Sequence, residues 1–257
     1  MTVDDLFSIA GKVAVVTGGS RGIGLMIARG YVEAGARVYI SSRKADVCDE
    51  VAKELSKSGA CLSVPADLST PEGLEHLASE VASRERTLHV LVNNAGAAWG
   101  APIEEYPRSG FDKVLTLNVT GIFELTRLLL PQLKAAATPD DPARVINIGS
   151  VDGIRVPMLE NYAYSASKAG VHMLTRHLAH HLVHDHVSVN AIAPGPFPSK
   201  MTAFMFEAGE EVVAQGVPMG RVGRPDDMAG VAIFLASRAS AYLTGAVIPV
   251  DGGVSTR

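Results

Sequence analysis

Val13-Ala14-Val15-Val16-Thr17-Gly18-Gly19-Ser20-Arg21-Gly22-Ile23-Gly24 runs from five small or β-branched residues into a glycine-rich turn and on into a helical pattern. A short, unbroken apolar run of this kind reads as a strand buried on both faces. Gly18, Gly22 and Gly24 then spell GxxxGxG, a variant of the dinucleotide fingerprint. Glycine permits the tight turn and lets the backbone approach a pyrophosphate. That anion would sit at a helix N-terminus, where free N–H groups and the positive end of the dipole favour it.

The same alternation extends to both ends of the chain. Val13–Thr17, Arg37–Ser41, Cys61–Pro65, Val90–Asn93, Arg144–Gly149, Val187–Ala193 and Val247–Val250 each read as a fully buried strand. Helical patterns fall near 23–34, 44–58, 70–83, 111–137, 163–183 and 225–236. Strands alternating with helices predict an α/β fold. The form expected is a Rossmann-type, doubly wound sheet of seven mainly parallel strands with helices on both faces. No repeat or Pro/Gly-rich linker divides the chain, so one domain spans residues 1–257. Thr138–Pro142 reads as a surface connection. Residues 195–220 break the alternation around Met201–Phe206, and a lid-like substrate segment is expected over about 196–218.

Composition narrows the function. The 257 residues carry a net charge of −4, without the basic excess that nucleic-acid binding requires. The start of the chain holds Asp4 and Asp5 and no cationic, apolar leader. The greasiest stretch, Leu125–Leu133, is broken by Arg127 and Pro131 and is too short for a bilayer. Two cysteines, Cys48 and Cys61, fit a reducing compartment. These features predict a cytoplasmic protein without a membrane or nucleic-acid partner.

The second strand decides between the two nicotinamide cofactors. It ends Ser41-Ser42-Arg43-Lys44, with no carboxylate to hold a ribose 2′-hydroxyl. Arg21 and Arg43, with the Ser41 and Ser42 hydroxyls, suit a 2′-phosphate instead. NADP(H) is therefore the expected cofactor, with Gly18, Ser20, Arg21, Gly22, Ile23, Gly24, Ser42 and Arg43 around its phosphates.

Tyr164 and Lys168 lie one helical turn apart on one face. A free phenol titrates near 10, and an ammonium one turn away favours the phenolate, as would an oxidised nicotinamide. Lowering the phenol by about three pH units requires roughly 4 kcal/mol. Ser150 closes a buried strand, where open parallel sheets present ligand groups, and its hydroxyl could orient a carbonyl. Asn118 falls inside a helical run it does not favour, where it would hold a water or bend the helix.

Gly18/Gly22/Gly24, Asp67, Asn93-Asn94-Ala95-Gly96, Asn118, Ser150, Tyr164/Lys168 and Pro194-Gly195 occur in the order of the short-chain dehydrogenase/reductase family, and over nearly its whole length the chain resembles that family. The resemblance implies that Tyr164 is the general acid in reduction and that Ser150 polarises the carbonyl. It gives Lys168 the tyrosine and the nicotinamide ribose, and Asn118 a relay water. Asp67 and Leu68 would meet the adenine, and Asn94, Ala95 and Gly96 its ribose side. Ile192, Pro194, Gly195, Phe197 and Ser199 would line the nicotinamide end. Tyr162 is set aside, because Ala166 stands four residues on.

Within the family the chain is most similar to the β-ketoacyl reductase branch, of the type associated with rhamnolipid synthesis. Residues 91–99 (LVNNAGAAW), 143–151 (ARVINIGSV), 192–202 (IAPGPFPSKMT) and 241–253 (AYLTGAVIPVDGG) carry this likeness. It implies a ketone/alcohol substrate, a 3-oxoacyl thioester above all. Steroids, sugars and small cyclic ketones are the rival substrates, because specificity would reside in 99–105, 151–161 and 197–215. A non-enzymatic NADP sensor on the same fold is a further rival, opposed by the intact Ser150, Tyr164 and Lys168. His181 and Asp185 stand where carrier-docking reductases present basic groups, which argues against an acyl carrier protein partner. Tyr242–Gly253 implies a homotetramer, or at least a homodimer. Six histidines between His172 and His186 include His177, His181 and His184 at i, i+4, i+7. Without HExxH or a carboxylate cluster they read as surface or interface residues, and no metal is expected. Met201, Phe204, Met205 and Phe206 suit a flexible apolar lid, with Trp99 beside the same pocket.

Overall fold

A computed structural model describes residues 2–256. Seven strands form one sheet: β1 (Val13–Thr17), β2 (Arg37–Ser41), β3 (Cys61–Ser63), β4 (Val90–Asn93), β5 (Ala143–Ile148), β6 (Val187–Pro194) and β7 (Val247–Val250). Their order is β3-β2-β1-β4-β5-β6-β7, and every pairing is parallel. The chain winds outward from β1 to β3, then crosses back to β4 and winds the other way. The reversal between β1 and β4 opens the crevice where such sheets bind ligands.

Successive strand residues face opposite sides, and each side has its own core. Ala14, Val16, Val38, Ile40, Val92 and Ile146 pack under α2 (Gly22–Glu33), α3 (Ala45–Leu55) and α9 (Pro225–Ala236). Val13, Val15, Tyr39, Leu91, Val145 and Val189 pack under α4 (Pro71–Arg84), α6 (Gly121–Ala136) and α7 (Tyr162–Leu182). Both faces are thus covered, which is why β1, β4, β5 and β6 are buried along their whole length.

Four readings shift. β3 is regular only to Ser63, although Val64 and Ala66 on either side of Pro65 still donate to the Ile40 and Ser42 carbonyls. The strand read as Arg144–Gly149 begins and ends one residue earlier. β7 is a half-exposed edge strand rather than a buried one, which accommodates Pro249. The single helix expected over 111–137 starts earlier and changes its winding. It comprises α5 (Arg108–Leu115), a π-helical turn at Thr116–Thr120, and α6. The combined run of 29 residues is long and apolar enough, by composition alone, to cross a bilayer. Val114, Ile122, Leu125, Leu129 and Leu133 are nonetheless buried, as in a core helix. Two short helices lacked a readable pattern: α1 (Val3–Phe7), closed by a Thr2/Asp5 capping box, and α8 (Glu210–Gln215).

The Thr138–Pro142 connection does more than run over the surface. Asp141 accepts from Lys12 at 2.8 Å and pairs with Arg144, whose side chain is 1% exposed. Arg144 also donates to the Pro142 and Ser237 carbonyls, tying β5 to the end of α9. Burial alone would raise the Asp141 carboxyl, but Lys12 and Arg144 hold it below its ordinary value. Nearby, burial and the Lys12 charge push His89 down, and its Nδ1 accepts from the Val13 amide. Breaking a fully buried pair costs about 3–5 kcal/mol. Asp141 is one-third exposed, so Asp141→Ala should cost about 2 kcal/mol at neutral pH once water screening is counted. A depressed carboxyl stabilises above its unfolded value of 3.8 and loses that contribution as pH falls through its folded value. His89 favours folding while neutral and loses its contribution as pH drops below 6.5. Denaturant unfolding against pH should show both losses, and the Asp141 variant should lack the more acidic one.

Candidate active site

The glycine turn is built for a close visitor. Gly18 and Gly22 have φ of 65° and 53°, the left-handed region. A Cβ on Gly24 would stand 2.3 Å from the Gly18 carbonyl oxygen, and one on Gly19 would meet Ile40 at 2.7 Å. Gly19 is thus needed as much as the three glycines of the motif. The N-terminus of α2 has no side-chain cap, which leaves its first N–H groups without a side-chain partner. These features fit a pyrophosphate.

Thr17, which the motif does not flag, braces the turn. Its Oγ1 donates to the Val92 carbonyl and accepts from the Asn94 and Ala95 amides at 2.9 Å. The Asn94 side-chain NH₂ donates to the Thr17 and Gly18 carbonyls, so this residue, expected on the ribose side, shapes the glycine turn. Asn93 and Asn147 join β4 to β5 at 2.9 Å and reach Thr126 and Thr175, a buried hydrogen-bonded ladder.

At the far end of the crevice, Asp67 Oδ1 accepts from the Ser69 amide and hydroxyl, leaving its second oxygen for a ligand. Burial would raise this carboxyl, but the Ser69 hydrogen bonds and the Arg43 charge bring it below its usual range. Arg43 therefore lies within electrostatic reach of the adenine-end carboxylate. Arg21, Arg43 and half-buried Ser42 are open to ligand, whereas Ser41 is fully buried. That corrects the reading of Ser41 as a phosphate ligand. It faces the interior because it is the last inward residue of β2.

On the other side, Pro194 ends β6 and the Gly195 amide donates to Val250. A Cβ on Gly195 would stand 2.7 Å from the Asp251 Cα, so only glycine allows the chain to pass. Ser199 abuts Gly22, its Cβ 3.1 Å from where a side chain would begin. This contact brings the segment after β6 against the glycine turn. Phe197 is 2% exposed, with its ring pressed on Gly223; any ligand contact there falls to its backbone.

Tyr164, Lys168 and Ser150 come together at the C-terminal ends of β5 and β6. Ser150 follows β5 and caps a 3₁₀ turn, Val151–Gly153, its Oγ accepting from the Asp152 amide at 3.1 Å. Lys168 is 4% exposed, and its Nζ donates to the Ile148 carbonyl at 2.7 Å. The ammonium lies 5.5 Å from the centre of the Tyr164 ring. Burial brings Lys168 down to about 8. Burial pushes the Tyr164 phenol up to about 12; a Ser150 hydrogen bond works against this, and the Asp152 charge adds to it. That corrects the expectation of a lowered phenol. The Lys168 ammonium is directed to a carbonyl, and desolvation governs Tyr164 in the free protein.

Asn118 also differs from its reading. It is fully buried in the π turn, where its Oδ1 accepts from the Ala97 amide at 2.8 Å. Its Nδ2 donates to the Ala97 carbonyl and to Ser167 Oγ, both at 2.9 Å. The residue sits in the π turn and holds the NNAGA loop, with both amide hydrogens and the oxygen engaged. Tyr106 went unnoticed in the sequence. Its hydroxyl accepts from the Ala163 amide at the start of α7 and donates to the Trp99 carbonyl. Trp99 itself packs on Gly110, with Lys113 5.3 Å above its ring.

A strand–glycine turn–helix crevice leading to a Ser, a Tyr and a Lys one turn on defines a class, and the comparisons agree: the chain belongs to the short-chain dehydrogenase/reductase family of oxidoreductases. Residues 18–255 match the family model described as enoyl-(acyl carrier protein) reductase. The chain is 52% identical over 249 residues to a rhamnolipids biosynthesis 3-oxoacyl-[acyl-carrier-protein] reductase of Pseudomonas aeruginosa, covering 96% of this chain and 97% of that one. It is 37% identical to a galactitol 2-dehydrogenase (L-tagatose-forming) of Cereibacter sphaeroides, covering 96% of each. Among solved structures, it is similar to the Pseudomonas aeruginosa RhlG/NADP active-site complex, with a TM-score of 0.94 and 51% identity over 98% of this chain and 99% of that one.

Proposed function

We propose that this protein reduces the ketone of a 3-oxoacyl thioester to a secondary alcohol with NADP(H). The reading is carried by Ser150, Tyr164 and Lys168 meeting beside the glycine crevice, in a chain half identical to a 3-oxoacyl reductase. The bound dinucleotide would supply the hydride to the carbonyl carbon. The Ser150 hydroxyl holds the carbonyl oxygen, and Tyr164 Oη delivers a proton to it as the alkoxide forms. A phenol held near 12 keeps that proton throughout the neutral range, as a general acid for reduction must. Lys168, fixed by Ile148, keeps a positive charge beneath the phenol and holds the ribose. Any relay water at Asn118 belongs on its backbone, since the carboxamide is taken.

For the cofactor, the crevice would hold the pyrophosphate at Gly18, Ser20, Gly22, Ile23 and Gly24, with Arg21, Ser42 and Arg43 on the 2′-phosphate. Asp67 and Leu68 take the adenine, Ala95 and Gly96 its ribose side, and Pro194, Gly195 and Ser199 the nicotinamide end. Substrate enters under the lid-like segment 196–218. Ile154, Val156, Met158 and Leu159 on one flank, and Met201 and Phe204 on the other, expose apolar surface suited to an acyl chain. A sugar or polyol, as the galactitol relative's name suggests, would find little there to hydrogen-bond. At the α7 exit Lys134 is neutralised by Asp185 at 2.9 Å, which favours a coenzyme-linked or free thioester over an acyl carrier protein. The half-exposed β7 edge and fully exposed Tyr242 support assembly into a homotetramer, in the cytoplasm.

The test is NADPH oxidation against acetoacetyl-CoA, longer 3-oxoacyl thioesters, steroids, polyol-derived ketones and small diketones. Turnover should be fastest with a thioester. Inactivity towards every thioester alongside reduction of another ketone overturns the acyl assignment.

A further inference from the structure

α7 carries a buried imidazole that the proposed chemistry leaves unused. Tyr164, Lys168 and His172 follow at one-turn intervals and so share a face. His172 is 4% exposed, whereas His177, His180, His181 and His184 on the same helix and its exit lie in solvent. His172 Nε2 is buried and has no hydrogen-bond partner among the described residues. An apolar side chain would have filled the space without leaving a nitrogen unpaired. The imidazole therefore needs a reason.

Its position supplies one. The ring lies beneath the turn that carries Ser150. Gly149 precedes that serine and Gly153 closes the turn. A Cβ on Gly149 would stand 2.2 Å from His172 Nε2, and one on Gly153 would stand 2.9 Å from His172 Cε1 and 2.6 Å from the Lys168 carbonyl carbon. Neither glycine has a positive φ. Both are glycines for room, and the imidazole fills the hollow they leave. The turn is otherwise tied by Gly153 N to the Ser150 carbonyl at 3.0 Å and by Asp152 N to Ser150 Oγ.

The charged groups around the ring have one sign. Lys168 and Arg176 face it from its own helix, the turn offers the Gly153 backbone, and the neighbouring strand ends offer only Gly149 and Ile192. Burial chiefly holds the imidazole below its ordinary value; the nearby Gly153 backbone works against this, and the two cations add to it. The turn's own carboxylate, Asp152, accepts from Asn161 at 3.2 Å, and among the described residues no carboxylate acts on the His172 charge.

We propose that His172 is a positioning residue: its neutral imidazole seats the Gly149–Gly153 turn and thereby sets the Ser150 hydroxyl against Tyr164. The inference rests on the reductase reading of Ser150 and Tyr164. It makes a specific demand on a five-variant set, His172→Ala, His172→Gln, Gly149→Ala, the double variant Gly149→Ala/His172→Ala, and Tyr164→Phe as reference. Each is assayed with acetoacetyl-CoA and NADPH from pH 5 to 9, with NADPH affinity measured separately by fluorescence.

His172→Ala should lower kcat about tenfold, with KM and NADPH affinity changing by less than about threefold, since the interaction lost is one made in the transition state. Gly149→Ala, which drives a methyl onto Nε2, should show a similar loss. The double variant should regain most of it, because the methyl then occupies the space the ring has left; contacting residues couple in this way. Wild-type kcat should fall in acid as His172 takes a proton below 6.5, and His172→Gln should lose that acid limb. If His172→Ala does not fold, Gly149→Ala and His172→Gln still decide the matter. Multiplicative losses in the double variant would overturn the seat, and an acid limb surviving in His172→Gln would overturn the need for a neutral ring. Failure of the underlying reading looks different: no wild-type turnover, or undiminished turnover in Tyr164→Phe.

Discussion

Tyr164→Phe should lower turnover by about 10²–10⁴-fold, the usual contribution of a positioned general acid, while NADPH binds as before. The substitution removes one oxygen and leaves the ring, which lies 5.5 Å from the Lys168 ammonium, in place. Folding and the glycine crevice are untouched, so a melting temperature and NADPH fluorescence titration serve as controls. The loss should appear in kcat more than in KM. A proton that moves only as the alkoxide forms stabilises the transition state and not the bound ketone. Retention of turnover within tenfold of wild type would show that another group protonates the product. Asp152 would then be the first to consider, since burial raises its carboxyl and its charge is felt by Tyr164.

The order of the elements was legible because β1, β4, β5 and β6 are buried along their whole length and the longer helices that flank them carry apolar residues towards the sheet. What the sequence concealed was local. The π turn at Thr116–Thr120 follows from a side chain reaching across to Ala97, a contact between residues 21 apart that periodicity cannot register. The Asp141 clamp and the Thr17 strut are likewise tertiary hydrogen bonds made by ordinary residues in unremarkable places. Tyr164 and Lys168 were found by spacing, yet their electrostatics were misjudged. Spacing reports that an ammonium is near, but only the fold reveals that it points at the Ile148 carbonyl. His172 was hidden for a third reason. It is one histidine among six in a short stretch, and nothing in its neighbours distinguishes the buried one from the exposed ones.

Removing Arg21 and Arg43 together should cut kcat/KM for NADPH by roughly 10²-fold and leave that for NADH within a few-fold. Each guanidinium–phosphate contact contributes about 1.5–3 kcal/mol, and both arginines are exposed. Solvent screening brings the pair to about 3 kcal/mol in all. The two should not weigh equally. Arg43 faces Asp67 as well as the expected phosphate, and its charge helps hold that carboxyl ionised. Without Arg43, a 2′-phosphate would meet an uncompensated carboxylate, so the Arg43→Ala single variant should lose more than Arg21→Ala. Arg21 sits at the head of α2, where the pyrophosphate common to both cofactors is expected. If Arg21→Ala weakens NADH as much as NADPH, that side chain serves the pyrophosphate and phosphate selection falls to Arg43 alone. If Arg43→Ala also treats the two cofactors alike, the choice of NADP(H) does not come from the end of β2, and the absence of a carboxylate after Ser41 has lost its meaning.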